Sequence, residues 1–162
     1  MTVETAHNGR PLLRDTDGGL KMCEIRMTGG WGRTILVMTL ADVPSNYRGQ
    51  QGLEALRNLP VAWDETHCLG GEIGSWYVVE RKSPDGRRYL AVITAGARHL
   101  SLPLAFLGPG RWRMALYSDD PKANRTDACA LRVSQREVSS ADKLDLDLAP
   151  IGGMVAVFDL LP

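Results

Sequence analysis

The sequence predicts a mainly β chain: an antiparallel β-sandwich of about 7–8 strands with Greek-key connections, preceded by one or two short helices. Three observations carry this. From Trp63 onward apolar residues recur with period two. Turn clusters punctuate that stretch, at Ser83-Pro84-Asp85-Gly86, Gly108-Pro109-Gly110 and Gly152-Gly153. Beyond Pro60 no segment has helical spacing.

The elements follow in order. Residues 1–20 are polar and glycine-rich, with the loop cluster Asp15-Thr16-Asp17-Gly18-Gly19, and read as a loose lead-in. Residues 31–42 (WGRTILVMTLAD) are apolar nearly all round, and periodicity alone allows a buried helix or a buried strand. Residues 51–58 (QGLEALRN) form a short amphipathic helix. Leu53, Leu56 and Leu59 share one face, and Pro60 ends it. Next, Trp76, Val78 and Glu80 oppose Tyr77, Val79 and Arg81. Tyr89–Thr94 is apolar on both faces, as a central strand is. Leu100, Leu102 and Leu104 alternate with His99, Ser101 and Pro103; Trp112, Met114 and Leu116 alternate with Arg111, Arg113 and Ala115. Leu131 and Val133 alternate with Arg132 and Ser134, and Leu144, Leu146 and Leu148 alternate with Asp145 and Asp147. Gly152-Gly153 turns the chain into Met154–Phe158. Three stretches result: a lead-in over 1–20, a region with helical character over 21–60, and the sandwich over 61–162.

At 162 residues and 44% hydrophobic the chain can bury a core, but it falls short of the about 250 residues of a (β/α)₈ barrel. Nineteen Lys and Arg balance nineteen Asp and Glu, so no basic field exists to hold a nucleic-acid backbone. No run reaches the ~20 apolar residues of a membrane span. Met1–Arg10 lacks the apolar core of a signal peptide, which makes the chain as given cytoplasmic. Cys23, Cys68 and Cys129 are odd in number and widely spaced, as three reduced thiols would be.

Catalytic patterns are wanting. Asp64 and Glu65 are neighbours, so a strand sends them to opposite faces. His67-Cys68 and His99/Ser101 lack the geometry of a nucleophile and its base, and no GxSxG occurs. No histidine pair has metal-ligand spacing and no glycine-rich phosphate loop follows a strand. No catalytic, cofactor-binding or metal-binding residue is therefore assigned. Trp76 and Trp112 sit in alternating strands as core residues, while Tyr47 and Trp63 are candidate ligand or interface contacts. Ile35, Leu36, Val37, Met38 and Leu40 form a candidate interface, because a small domain can cover only part of so apolar a segment.

Residues 40–66 (LADVPSNYRGQQGLEALRNLPVAWDET) resemble the passage in glycoside hydrolase family 97 where the catalytic barrel hands over to the C-terminal domain. The ordered motifs downstream are similar too: Gly71-Glu72-Ile73-Gly74, Tyr89-Leu90-Ala91-Val92, Leu102-Pro103-Leu104 with Phe106-Leu107-Gly108, and Leu148-Ala149-Pro150 before Gly152-Gly153. That last stretch commonly reads LAPGGG in the family, and Ile151 departs from it.

The resemblance implies a parent of three domains, a β-sandwich, a (β/α)₈ barrel and a C-terminal β-sandwich, that hydrolyses α-glucosidic or α-galactosidic bonds with calcium near its active site. The catalytic and calcium-binding carboxylates would lie in the first two domains, so none is carried over to this chain. Residues 31–42 would be the last barrel helix. The expected role is packing and oligomerisation, with the barrel of a parent glycosidase or a second copy as partner through residues 31–42. Calcium would belong only to the catalytic part. Family members are often exported, which this N-terminus does not provide for. Two other readings remain: an autonomous carbohydrate-binding module using exposed aromatics such as Tyr47 and Trp63, and a small enzyme using Asp64 or Glu65.

Overall fold

The computed structural model describes residues 22–28, 34–40, 48–49, 52–60, 62–120 and 131–162. Tyr47 and the lead-in over 1–20 lie outside them. Two compact units divide the chain, Met1–Ala62 and Trp63–Pro162.

In the first unit, β1 (Met22–Thr28) pairs antiparallel with β2 (Thr34–Leu40), setting Ile25 opposite Val37 and Met27 opposite Ile35. Thr34–Leu40 is thus a strand, not the final barrel helix that the resemblance implied. The physical reason lies in TILVMTL itself. Thr34, Ile35, Val37 and Thr39 are β-branched, which stiffens χ1, disfavours a helix and suits a pleated strand. Helix α1 (Leu53–Arg57) falls where the leucine spacing put it. Glu54 in its first turn and Arg57 in its last complement the helix dipole, and the Asn58 N–H closes it onto the Glu54 carbonyl at 3.2 Å.

The second unit holds eight strands among its described residues: β3 (Glu65–Glu72), β4 (Trp76–Lys82), β5 (Arg88–Thr94), β6 (Arg98–Pro103), β7 (Trp112–Asp119), β8 (Leu131–Val138), β9 (Lys143–Leu148) and β10 (Gly153–Leu160). A six-stranded antiparallel sheet runs β3-β4-β5-β10-β7-β8, and β6 pairs with β9 in a second sheet. The pairings are nested. β7 pairs with β8, β6 with β9, and β5 with β10. From Ile93 opposite Gly153 to Arg98 opposite Leu148 the register carries on while the ladder passes from one sheet to the other. This folded double strand is the Greek-key logic of a sandwich.

The core lies between the sheets. From the large sheet it takes Val78, Leu90, Val92, Met114, Met154, Ala156 and Phe158; from the small one, Leu144, Leu146 and Leu148. On β9 the burial alternates strictly, with Asp145 and Asp147 exposed between buried leucines. Trp112 is buried and Trp76 packs against the core as a half-buried neighbour. Leu104 precedes a short 3₁₀ turn at Ala105–Leu107, where Leu107 is buried and the ring of Phe106 meets that of Phe158 edge-on at 5.7 Å. The alternation read at Leu131–Ser134 does not track burial. β8 is an edge strand, and Val138 is its one buried residue.

Candidate functional site

A groove of ≈ 760 Å³ opens at one end of the large sheet. Three segments build it: the β3–β4 turn at Ile73–Ser75, the end of β5 at Ile93–Ala95, and the turn Ile151–Gly153 before β10. Backbone hydrogen bonds fasten these together. The Ala95 N–H donates to the Ser75 carbonyl at 2.7 Å, the Ile151 N–H to Ala95 at 3.1 Å, and the Thr94 N–H to Gly152 at 2.9 Å. The Asp119 carboxylate accepts from the Gly153 N–H at 2.7 Å. A Cβ on Gly153 would lie 2.7 Å from the Val92 carbonyl oxygen, so only glycine lets the two strands approach here. Likewise a Cβ on Gly70 would meet the Trp76 ring at 2.8 Å. Gly70 follows the irregularity between Cys68 and Gly70 that re-aims the edge strand β3.

The groove is apolar at its rim. Ile73, Ile93 and Ile151 are exposed, as are Tyr77 and Cys68, and Glu72 is the single charged residue lining it. None of the interface candidates read from the sequence lies here, because three segments far apart in the chain supply the surface. The one local sign was Ile151, where it departs from the family's glycine.

At the other end of β3 and β4 a charged cluster gathers. Glu80 is fully buried; one carboxylate oxygen accepts from Arg88 at 2.8 Å and the other lies 2.9 Å from His67 Nδ1. Glu65 accepts from Lys82 at 2.8 Å, a bond that holds its carboxyl below the usual range, and Arg88 stands 3.6 Å away. Each carboxylate is thus matched to a cation, an arrangement suited to holding the sheet edge rather than to moving a proton. Asp64 donates its N–H to the Lys82 carbonyl at 2.9 Å, and its side chain is exposed. Trp63 is half-buried: its ring meets Tyr89 edge-on at 5.0 Å, and the Arg81 guanidinium lies over it at 5.3 Å. Burial pushes the Tyr89 hydroxyl pKa up. β2 holds Ile35, Leu36, Val37, Met38 and Leu40 in one strand.

The resemblance implies calcium only for the parent's catalytic part. Among the described residues no three His, Cys, Asp or Glu side chains gather to hold a metal. Nor is any described helix long and apolar enough to cross a membrane.

Residues 62–159 match the family described as "Glycosyl-hydrolase 97 C-terminal, oligomerisation". The chain belongs to this family. The chain is 29% identical over 115 residues to a retaining alpha-galactosidase of Bacteroides thetaiotaomicron, covering 70% of this chain and 17% of that protein. It is 31% identical over 122 residues to a probable retaining alpha-galactosidase of Streptomyces bingchenggensis, covering 75% and 18%. Among solved structures, a glycoside hydrolase family 97 enzyme of Pseudoalteromonas sp. strain K8, in complex with acarbose, superposes with a TM-score of 0.70 at 27% identity over 75% of this chain and 20% of that one. A beta-arabinopyranosidase superposes at 0.60, with 27% identity, over 77% and 19%. The chain thus spans a fifth or less of the relatives it matches, and the part of the family it matches is the C-terminal domain, over residues 62–159.

Proposed function

We propose that this chain is the packing and oligomerisation module of a family 97 glycosidase that cleaves α-galactosidic or related α-glycosidic bonds, and that residues 31–42 seat it against the parent's barrel or, without a barrel, against a second copy. The observation that carries the reading is the match over 62–159 to a domain described by oligomerisation, in a chain that covers only about a fifth of the matched enzymes. The first unit adds support. β2 is apolar at Ile35, Leu36, Val37, Met38 and Leu40, and its described partner is one strand, β1. A two-stranded hairpin is marginal alone in water and gains stability from a covering surface. Calcium belongs with the catalytic domain in this reading, and the chain itself needs no cofactor. A carbohydrate-binding role at Trp63 is disfavoured because Arg81 already lies over its ring.

Sedimentation over a concentration series tests the role of residues 31–42. The full chain is expected to associate, and Leu36→Asp with Met38→Asp to weaken that association at least tenfold, as does a truncated chain that begins at residue 43 and so lacks the segment. A full chain that stays monomeric, and is equally stable with the substitutions, overturns the assignment.

A further inference from the structure

Ile151 is the one non-glycine residue with a positive φ, 57°, among the described residues. A β-branched side chain is a rare occupant of the left-handed region, because its Cβ crowds the following carbonyl. The same side chain is 90% exposed. The monomer therefore bears both a strained backbone and a wetted isoleucine at one position, and recovers nothing for either within its own core. The positive φ itself serves the Ala149–Gly152 turn, closed by the Gly152 N–H donating to the Ala149 carbonyl at 3.1 Å. An isoleucine rather than a glycine at that position is what the fold does not need, and it points to a use outside the monomer. Across the groove Ile73 is fully exposed, and Ile93 lies between them at 64%.

Geometry narrows what the use is. Ile73 and Ile151 project from turns held by the Ala95–Ser75 and Ile151–Ala95 backbone bonds, so they are presented rather than loosely draped. The patch holds both projections and the groove that would receive them. That is the requirement of an isologous contact, in which one surface fits its own copy across a two-fold axis. Its charge permits this as well: with Glu72 as the sole charged lining residue, two copies meet without a field of like charge.

We propose that this groove docks a second copy of the chain, with Ile73 and Ile151 of each copy seated in the groove of the other. The proposal rests on the oligomerisation reading above and gives it a surface distinct from residues 31–42. Six strands spaced about 4.8 Å apart, each seven or eight residues long at about 3.3 Å, give the large sheet an outer face of roughly 700 Å². Its end beside the groove carries Tyr77, Val79, Ala91, Ile93 and Val155, while Trp63 covers Tyr89 further along the same face. That end and the groove together give a contact below the about 800 Å² per partner of a standard interface, the size of a concentration-dependent dimer.

The experiment uses the full chain and two substitutions. Ile151→Gly relieves the left-handed strain, so the fold is kept, and Ile73→Ser trims a residue with no core contact. Each is expected to raise the dissociation constant at least tenfold in sedimentation, with an unchanged or higher melting temperature at low concentration. Cys68 reports on the groove directly. Its alkylation, read on its own peptide by mass spectrometry, should slow several-fold as the wild-type concentration rises, and should not slow in either variant. Association that is indifferent to both substitutions, or Cys68 alkylation that is independent of concentration, overturns the proposal, as does a wild-type chain that is monomeric throughout. Association lost with Leu36→Asp and Met38→Asp but kept in the groove variants overturns this inference and leaves the role of residues 31–42 standing.

Discussion

Truncating Glu80 should destabilise the sandwich more than removing any other charge described in it. Its side chain is fully buried on β4 and held on both oxygens, by Arg88 at 2.8 Å and by His67 at 2.9 Å. Arg88 is itself only 18% exposed, so Glu80→Ala leaves a mostly buried guanidinium with the Glu65 carboxylate at 3.6 Å as its remaining partner. Breaking a buried pair from one side costs about 3–5 kcal/mol, chiefly for the charge left behind. The His67 contact adds little, since that ring is 55% exposed and pairs open to water contribute about 0–1 kcal/mol. Glu80→Gln keeps a side chain of the same shape but loses charge-assisted bonding, for an expected cost of about 1.5–3 kcal/mol. Arg88→Ala closes a double-mutant cycle, and the pair should couple by about 0.5–3 kcal/mol because the double variant leaves neither charge stranded. Urea unfolding followed by tryptophan fluorescence measures the wild type and all four variants. A Glu80→Ala cost below about 1 kcal/mol, or a cycle that is additive within about 0.5 kcal/mol, would refute the view that the buried Glu80–Arg88 pair ties β4 to β5.

Two further outcomes concern β9 and the acid limb. Leu146→Ala should cost about 2–5 kcal/mol and Asp145→Ala less than about 0.5, by denaturant midpoint; equal effects would mean that the strand does not alternate as described. Asp142 accepts from the Ser139 N–H at 2.6 Å and from its hydroxyl at 3.0 Å, which holds its carboxyl below the ordinary 3.8. A depressed folded pKa gives stability that is complete above the unfolded value and is lost as pH falls through the folded one. The deficit of Asp142→Ala against the wild type should therefore be full at pH 6 and shrink as the pH falls below 3.8, and a deficit that acid leaves unchanged contradicts the assignment.

Much of the sandwich was legible because its strands obey the simplest rule. KLDLDL can bury one face only, and YLAVIT, apolar on both faces, could only be central; β5 indeed lies inside the six-stranded sheet. β3 was not legible as an individual strand. ETHCLGGE is an exposed edge, so no apolar alternation marks it, and its glycines serve the passage of Trp76 rather than a turn. Residues 34–40 were ambiguous because a wholly apolar segment has no face to betray its period, and the partner strand MCEIRMT is too mixed to announce itself. The groove stayed hidden for a different reason. Its residues come from two turns and the strand ends between them, and the ladders that set Tyr77 and Gly153 opposite Ile93 bring them together.

That ladder also sets an order of assembly. Ile93 and Gly153 are sixty positions apart along the chain, a long loop to close from the unfolded state. With Arg98 already opposite Leu148, only five residues on each side remain to be drawn in. β6 and β9 are in turn brought near once the β7–β8 hairpin exists. Each pairing spares the next most of its closure entropy, which lets a chain dominated by distant contacts avoid a blind search for them. Closure in this order would make the sandwich a zipper that runs from β7–β8 outward, with the groove between Ile73 and Ile151 formed at its last teeth, together with the part of the core that β5 and β10 supply.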